Sequence, residues 1–376
     1  MNTAFSTSYT PYSAVTGSSA PARTVLVLGA TGGIGGAVAR SLRDAGWTVK
    51  ALRRGLEVPQ VVRDGMQWLN GDAMQRDDVM AAAQGCSVIV HAVNPPGYRR
   101  WSELVLPMLD NTLAAATEQR ATVVLPGTVY NFGPDSLPRP HELSPQQPVT
   151  RKGAIRVEME RRLRQGVGQG AFRVIVLRAG DFFGPGAANN WFSQGLVTAG
   201  QPVRKVQQPG RSGVGHQWAY LPDVAETMKR LIERRQEWPA FAPFHFEGHW
   251  DADGRQMVDA IRRVVLRRTG ETPRIVAFPW WAVTLGSPLV PLFRELAEMR
   301  YLWRVPLHMN SHRLTQALGA QGVPHTDWDL AVERTLVGIG CLPSAADGAP
   351  AANITANGMS PPATARKAAT IAHDPH

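Results

Sequence analysis

A run of glycines near the start of the chain most narrows the folds that this sequence can adopt. Gly29, Gly32 and Gly35 follow an apolar run over 24–28 and precede an amphipathic segment over 37–45, after which a second apolar run begins. Strand, glycine turn, helix and strand in this order form a βαβ unit. The first glycine allows a tight turn, the second lets the backbone approach a pyrophosphate, and the third lets the helix pack closely. The pattern therefore predicts a dinucleotide-binding unit.

Apolar runs and helical patterns continue to alternate through the first half of the chain. The further apolar runs cover 47–52, 66–69, 87–91, 121–125 and 172–177. Such alternation is typical of a parallel sheet with helices on both faces. Beyond residue 180 the pattern changes to loops and helices. We therefore predict the α/β class, with a doubly wound parallel Rossmann sheet and a smaller C-terminal substrate-binding lobe.

Composition and pattern divide the chain into several parts. Residues 1–22 carry no charged side chain and are rich in Ser, Thr and Ala. Residues 342–376 are rich in Ala, Pro, Thr and Gly and show no apolar period. Both compositions predict disorder. The predicted parts are a disordered leader over 1–22, a dinucleotide-binding Rossmann domain over 23–180 to which 214–236 returns, a substrate lobe over 181–213 and 237–341, and a disordered tail over 342–376.

Charge and cysteine content limit the partners and the compartment that we expect. The formal net charge is +10, but the arginines fall largely in helix-like segments, which favours solvated helix faces over a nucleic-acid or anionic-lipid surface. Cys86 and Cys341 lie far apart without the spacing of a zinc site, and two cysteines suit a reducing cytoplasm. We expect a cytoplasmic monomer or homodimer that binds a small-molecule substrate, with no nucleic acid and no metal.

An uncharged stretch over 275–293 is long enough to suggest a membrane span. Pro279, Pro288 and Pro291 interrupt it, and proline breaks the interior of a helix. The stretch therefore favours a buried helix pair or an interfacial segment, and we expect no membrane span.

Two arginines at the end of the second predicted strand bear on the choice of cofactor. An NAD site of this type normally has an acid there for the ribose hydroxyls, whereas this chain has Arg53 and Arg54. Guanidinium groups suit a 2′-phosphate. The pair favours NADP, with NAD as the alternative. In the other interpretation one or both arginines are simply exposed.

Five short motifs, taken together and in order, carry a family resemblance. They are Gly29-Ala-Thr-Gly-Gly-Ile-Gly35, Asn70-Gly-Asp72-Ala73, Val90-His91-Ala-Val-Asn94, Val129-Tyr130 with Gly133, and Tyr220-Leu-Pro-Asp223-Val-Ala225. Over about residues 23–340 the chain resembles the extended and atypical short-chain dehydrogenase/reductase superfamily, often called NAD-dependent epimerase/dehydratases. The resemblance implies an NAD(P) cofactor.

The resemblance also implies which residues bind the cofactor. Asp72 and Ala73 would lie against the adenine, and the segment from His91 to Asn94 would lie along the cofactor beneath the nicotinamide ribose. Taken alone, Asp72 could be a turn residue and His91 a satisfied strand-end histidine. The full predicted set is Gly29, Thr31, Gly32, Gly33, Ile34, Gly35, Arg53, Arg54, Asp72, Ala73, His91, Ala92, Val93 and Asn94.

The catalytic positions depart from the pattern of the superfamily. Members that oxidise a sugar carbinol carry a serine or threonine after the fifth strand and a Tyr-x-x-x-Lys pair at the start of the next helix. Here the serine position falls on Pro126, and Lys152 and Arg156 occupy the spacing of the pair, followed by Glu160. This arrangement resembles the isoflavone-reductase-like branch, in which a lysine stands in place of the tyrosine.

Lys152 is the candidate for proton transfer. In a helix, Lys152, Arg156 and Glu160 are each four residues apart and share one stripe. A lysine there could act as a general base, or as an acid that protonates a carbonyl or enolate oxygen. The alternative is a solvated Lys-Arg-Glu ladder on the surface. Thr128 and Tyr130 could assist catalysis, or could instead cap and close the turn after the fifth strand.

We therefore predict an NAD(P)-dependent oxidoreductase or epimerase-like enzyme that acts on a small carbonyl, carbinol or enone and uses Lys152 for proton transfer. Arg178 and Arg211 are candidates to bind an anionic group of the substrate. The alternative is a non-catalytic NADP-binding regulatory or sensor protein. The loss of the serine and the tyrosine favours that alternative, and the retained Lys-Arg-Glu series disfavours it.

Overall fold

The computed structural model describes residues 23–95, 100–136, 139–187 and 190–344. The predicted leader and nearly all of the predicted tail lie outside these ranges. The strands in chain order are β1 (Thr24–Leu28), β2 (Thr48–Arg53), β3 (Gln60–Arg63), β4 (Met66–Asn70), β5 (Val88–His91), β6 (Thr122–Thr128), β7 (Arg173–Ala179), β8 (Asp181–Phe183), β9 (Lys205–Gln208), β10 (His216–Tyr220), β11 (Phe241–Phe246), β12 (His249–Asp251) and β13 (Arg274–Ala277). The α-helices in chain order are α1 (Gly33–Asp44), α2 (Arg76–Ala83), α3 (Trp101–Gln119), α4 (Arg151–Gly168), α5 (Leu221–Glu233), α6 (Gln256–Thr269), α7 (Trp280–Gly286), α8 (Pro291–Glu298), α9 (His312–Leu318) and α10 (Trp328–Gly338).

Eight of the described strands form one large sheet in the order β11-β7-β6-β5-β1-β2-β4-β3. All neighbouring pairs are parallel except β3 and β4, which form an antiparallel hairpin. From β1 the chain builds the sheet first on one side and then on the other, so the strand order reverses between β1 and β5. This topology confirms the predicted fold class, a doubly wound parallel sheet.

Alternate residues of the central strand point into two different cores. Val25 and Val27 of β1 pack against α1 and α5 on one face of the sheet. Leu26 and Leu28 pack against α2, α3 and α4 on the other face. Because both faces are covered, the central strands read as unbroken apolar runs. That is why β1, β5, β6 and β7 could be predicted from the sequence. Strands β2 and β4 were also predicted, although polar residues such as Lys50 and Gln67 interrupt them.

The C-terminal part builds two small sheets around a separate core. The order is β12-β10-β8 in one sheet, and β13 pairs with β9 in the other. Their core contains Trp218, Tyr220 and apolar residues of α6 and α10. The segment 214–236 is divided between the two parts. Strand β10 lies in the three-stranded sheet, whereas α5 packs against α1 on one face of the large sheet.

Strand β11 belongs to the large sheet, although the sequence analysis assigns residues 237–341 to the lobe. It pairs in parallel with β7 and forms the outer edge of the sheet. Pro243 lies in the middle of this strand. Proline lacks an N–H for the ladder, and the edge position tolerates it because one side of the strand is unpaired.

The uncharged stretch over 275–293 contains the end of β13, all of α7 and the start of α8. Helices α7 and α8 pack against each other. Among the described helices, none combines the length and the apolar character that crossing a bilayer requires. Val283 of α7 is buried, but several large apolar side chains of the stretch are exposed. The stretch is therefore a helix pair with an open apolar side, and not the buried pair that was one of the two expectations.

Candidate functional site

A cavity of about 610 Å³ opens at the carboxyl ends of the central strands. It lies beside the point where the strand order reverses, which is where open α/β sheets bind ligands. Its volume is in the range of about 300–1,000 Å³ that small-molecule sites occupy. Every predicted cofactor-binding and catalytic residue except Gly35 lines this cavity.

The glycine turn brings the ends of two strands together. Gly29 has a φ of +88°, and a Cβ at this position would lie 2.5 Å from the carbonyl oxygen of Ala92. The turn closes with a hydrogen bond from the Gly32 N–H to the Gly29 oxygen at 2.9 Å. A Cβ on Gly35 would collide with that same oxygen. Gly35 therefore lets α1 pack on β1 and does not itself line the cavity.

The first turn of α1 has the properties of an anion site. Gly32 is the N-cap residue and offers no side chain to the free amide groups, and the first turn contains no acidic residue. The first amides of a helix have no partner within the helix, and the helix dipole makes this end positive. A pyrophosphate would fit here because backbone N–H groups bind it without a competing carboxylate.

Two arginines and an aspartate, Arg53, Arg54 and Asp72, line the part of the cavity next to the ends of β2 and β4. A guanidinium nitrogen of Arg54 lies 3.6 Å from Oδ2 of Asp72. The other oxygen of Asp72 accepts from the backbone N–H of Met74 at 3.0 Å, so Asp72 also stabilises its own turn. Asp78 in turn accepts from the Asp72 N–H at 2.8 Å. The side chain of Arg53 is exposed at the cavity rim.

His91 is held as a neutral hydrogen-bond acceptor. Its Nδ1 lies 2.8 Å from Oγ1 of Thr112, whose hydroxyl donates to the Met108 oxygen at 3.1 Å. With that hydroxyl donating to Met108, Nδ1 donates to Oγ1 of Thr112 and carries the ring proton. Burial, and secondly the charge of Arg156, lower the pKa of His91 to about 3. Nε2 has no hydrogen-bond partner within the described residues, which leaves its lone pair for a ligand.

Asn94 and Arg156 are linked through Trp101. The indole N–H of Trp101 donates to Oδ1 of Asn94. The guanidinium carbon of Arg156 lies 5.3 Å from the centre of a Trp101 ring, and an Arg156 nitrogen lies 3.5 Å from the Pro126 oxygen. These contacts position Arg156 in the cavity wall beside the turn that follows β6.

The start of α4 places Lys152 in the cavity wall. Thr150 caps the helix by accepting from the Gly153 N–H at 2.9 Å. A Cβ on Gly153 would collide with the main-chain carbonyl oxygen of Tyr130. Glycine therefore allows the helix to begin directly against the turn that contains Tyr130. The side chain of Lys152 is buried and lines the cavity.

A carboxylate from a distant helix sits at this helix start. Oε1 of Glu298 accepts from the N–H of Arg151 and, at 3.4 Å, from the N–H of Lys152. Negative charge at a helix N-terminus is favourable because it opposes the dipole. Glu298 ends α8, and nothing in the sequence signals its proximity to Lys152.

Glu160 turns away from the cavity and into a buried ion pair. Its carboxylate accepts from Nε and Nη2 of Arg178 at 2.8 and 2.6 Å, and both side chains are buried. The expectation that Arg178 binds an anionic substrate group is therefore wrong, because its guanidinium is occupied inside the protein. Since Lys152 and Glu160 are both buried, the series is not a solvated surface ladder. Arg211 is exposed and does not line the cavity.

A polar chain leads from the cavity into the lobe. The Tyr130 hydroxyl donates to Oδ1 of Asp181 at 3.2 Å, and Oδ2 of Asp181 lies 2.9 Å from Nε2 of His216. The His216 ring stacks on Trp303 with ring centres 3.8 Å apart. Oγ1 of Thr128 accepts from the Tyr130 N–H at 3.3 Å, so the predicted capping contact is present.

Asp181 and His216 were missed by the sequence analysis. Each lies in a short strand of the lobe, β8 and β10. These two strands pair in parallel, and that pairing brings the two side chains together. The segments are too short to show an alternation that would predict a strand, so only the fold reveals the contact.

Comparisons with known proteins agree with this architecture. A family model described as the NAD dependent epimerase/dehydratase family matches residues 25–242. A solved structure of MoeE5 in complex with UDP-glucose and NAD is 17% identical, with a TM-score of 0.63 over 84% of this chain and 98% of that chain. UDP-glucose 4-epimerase from Brucella ovis in complex with NAD is 16% identical, with a TM-score of 0.65 over 84% and 98% of the two chains.

Two further proteins are similar to this chain. A putative epimerase from Burkholderia cenocepacia is 17% identical, with a TM-score of 0.66 over 85% of this chain and 99% of that chain. The uncharacterized protein y4nL of Sinorhizobium fredii is 30% identical over 181 residues, which cover 43% of this chain and 51% of that protein. The chain therefore spans about half the length of this curated relative.

Proposed function

The chain belongs to the NAD-dependent epimerase/dehydratase family, and on that premise we propose a hydride-transfer enzyme in which Lys152 moves the proton. Its substrate is a small carbonyl, carbinol or enone. The observation that carries the proposal is the position of Lys152, which is buried in the wall of the same cavity that the glycine turn lines.

A nicotinamide dinucleotide fits the residues around the cavity. The first turn of α1 would hold the pyrophosphate, and Ala73 would lie at the adenine end. Nε2 of His91 would accept a hydrogen bond from a hydroxyl of the cofactor or substrate, because the neutral ring has only an acceptor there. When bound, the cofactor supplies or takes up a hydride.

NADP is the preferred form of the cofactor. Arg53 and Arg54 lie at the rim of the cavity at the end of β2, where guanidinium groups would bind a 2′-phosphate. Asp72 lies 3.6 Å from Arg54 and would orient that guanidinium group.

Replacing Arg53 and Arg54 by alanine tests the preference. We expect the Kd for NADPH to rise by about tenfold or more, because charge-assisted hydrogen bonds to the phosphate are lost. The Kd for NADH, which lacks the 2′-phosphate, is the internal control and should change by less than about twofold. Equal losses for both cofactors would rule out the 2′-phosphate assignment. Quenching of tryptophan fluorescence gives both constants.

Lys152 serves as the proton donor when the substrate is reduced. Its ammonium group gives a proton to the carbonyl or enolate oxygen as the hydride arrives, and its amine takes that proton back in the reverse direction. Tyr130 lines the cavity, and its hydroxyl donates to Oδ1 of Asp181 at 3.2 Å. Oγ1 of Thr128 accepts from the Tyr130 N–H, which leaves the Thr128 hydroxyl hydrogen to orient the substrate oxygen.

Lys152→Met tests the mechanism, because methionine keeps the length of the side chain without the amine. After a panel of carbonyls, enones and UDP-sugars has given turnover of NADPH or NADH, we expect kcat/KM to fall about a hundredfold or more. The Kd for the cofactor should be unchanged. Arg151→Met is the matched control, since Arg151 is the exposed neighbour that shares the Glu298 contact.

Two results would count against the proposal in different ways. Turnover at the normal rate in Lys152→Met would refute the role of the amine and leave the enzyme assignment intact. Tight NADPH binding without consumption across the whole panel would instead favour the regulatory or sensor function.

A further inference from the structure

The segment that contains α7 and the residues after it exposes several large apolar side chains. Trp281 is 75% exposed, Leu285 76% and Leu289 86%. Trp281 and Leu285 are four residues apart and share one face of α7, while Val283 on another face is 3% exposed. We call Trp281, Leu285 and Leu289 the α7 patch. Concentrated apolar exposure of this kind marks an interaction surface.

Three arginines lie next to the α7 patch. The guanidinium carbon of Arg300 lies 5.0 Å from the Trp280 ring. Trp280 donates to the Pro209 oxygen at 2.8 Å, which brings the turn with Arg211 to the same place. Burial, and then repulsion from Arg304 and Arg211, lower the pKa of Arg300. We call Arg211, Arg300 and Arg304 the arginine cluster.

Acidic side chains of the described ranges leave the arginine cluster unneutralised. Within the part of the chain that the structure describes, none of its three members forms an ion pair with a carboxylate. No charged residue interrupts the sequence between Arg274 and Arg294, which flank the α7 patch on either side along the chain. The surface therefore combines an apolar patch with a positively charged cluster beside it.

We propose that the α7 patch and the arginine cluster dock this protein on the surface of a membrane that contains anionic lipids. Tryptophan and leucine side chains insert at the boundary between headgroups and acyl chains, and tryptophan favours that depth. Arginine side chains beside them bind the lipid phosphates. Helix α7 has 7 residues and lies on such a surface without crossing it.

The charges distinguish a lipid surface from a second copy of the chain. In a symmetric dimer the same patch faces itself, so the two arginine clusters would approach each other and repel. An anionic headgroup layer removes that repulsion and also accepts the apolar side chains. The inference is independent of the reaction proposed for the cavity.

Co-sedimentation of the full chain with lipid vesicles tests this surface. We expect the protein to pellet with vesicles of phosphatidylcholine and about one third phosphatidylglycerol, and to stay in solution with phosphatidylcholine alone. Changing Trp281, Leu285 and Leu289 to serine together should weaken binding at least about tenfold. Changing Arg211 and Arg304 to glutamine should weaken it about fivefold for each charge, and added salt should do the same.

Matched controls lie on β3, at the opposite end of the large sheet from the edge strand β11. Val62→Ser removes an exposed apolar side chain and Arg63→Gln an exposed charge, and both variants should pellet like the unchanged protein. Urea unfolding midpoints should agree among all variants, because each substituted position is exposed.

Three outcomes would overturn the proposal. One is failure of the unchanged protein to pellet with the anionic vesicles. Another is equal binding by the triple serine variant. The third is a dimer in light scattering that the triple variant converts to monomers without any vesicle binding, which would make the α7 patch an interface between copies.

Discussion

Replacing Arg178 by methionine removes one half of a buried ion pair and should strongly destabilise the fold. The side chains of Arg178 and Glu160 are 0% and 4% exposed, and two hydrogen bonds join them. Breaking such a pair leaves an unpaired charge in the interior, which costs about 3–5 kcal/mol. A domain typically has only about 5–15 kcal/mol of unfolding free energy. The variant should therefore lose a large share of its stability.

A double variant shows whether the unpaired charge causes the loss. Glu160→Gln removes the charge and keeps an oxygen that can accept from Asn131, which donates to Glu160 at 2.8 Å. Combined with Arg178→Met, it should restore about 2 kcal/mol relative to Arg178→Met alone, because no net charge remains buried. Urea unfolding followed by tryptophan fluorescence gives both free energies.

Two results would refute this reasoning. A cost below about 1 kcal/mol for Arg178→Met would mean that the interior tolerates the lone carboxylate. A double variant as unstable as the sum of the two single variants would mean that the charges do not interact. Below the unfolding transition, Arg178→Met should keep its NADPH affinity within about twofold, since Arg178 does not line the cavity.

Two other perturbations follow from the site. As the pH falls from about 6.5 towards about 3, stability should fall, because His91 and His245, whose pKa values burial lowers to about 3, stay neutral when folded but bind protons when unfolded. Urea unfolding at several pH values gives the free energy of unfolding, which should change by about 1.4 kcal/mol less per pH unit in His91→Gln than in the unchanged protein. An equal slope in both proteins would contradict the role of His91 in this pH dependence. Gly29→Ala should abolish NADPH binding or folding, because its Cβ would lie 2.5 Å from the Ala92 oxygen, whereas Gly85→Ala, also at positive φ but with open space around it, should cost only about 1 kcal/mol; similar effects in both would refute the steric argument.

Much of the large sheet could be predicted because its signals are local. Strands β1, β5 and β6 are buried on both faces, so the runs 25–28, 88–90 and 123–125 within them are apolar without interruption. The glycine turn needs a positive φ at Gly29 and close backbone approaches, which only glycine meets. Strand ends of a parallel sheet meet at one edge, so the positions of Asp72, His91 and Thr128 along the chain were enough to bring them to one cavity.

The remaining parts depend on contacts between distant segments. Strand β11 pairs with β7, and nothing in the short sequence of β11 predicts that pairing. Glu298 reaches the start of α4 from another helix, and Asp181 meets Tyr130 and His216 only because β8 pairs with β10. Helical spacing placed Lys152 and Glu160 on one stripe but could not say that one faces the cavity and the other the core.

The sequence alone determined the doubly wound sheet, the glycine turn and the set of strand ends around the cavity, because burial period and backbone sterics act over a few residues. Only the tertiary structure decided the roles of the charged side chains. In the folded protein Arg178 forms a buried ion pair with Glu160, Lys152 lines the cavity, and Trp281 and Leu285 are exposed on the surface. A charge or a large apolar group takes its role from what surrounds it, and those surroundings come from segments far away in the chain.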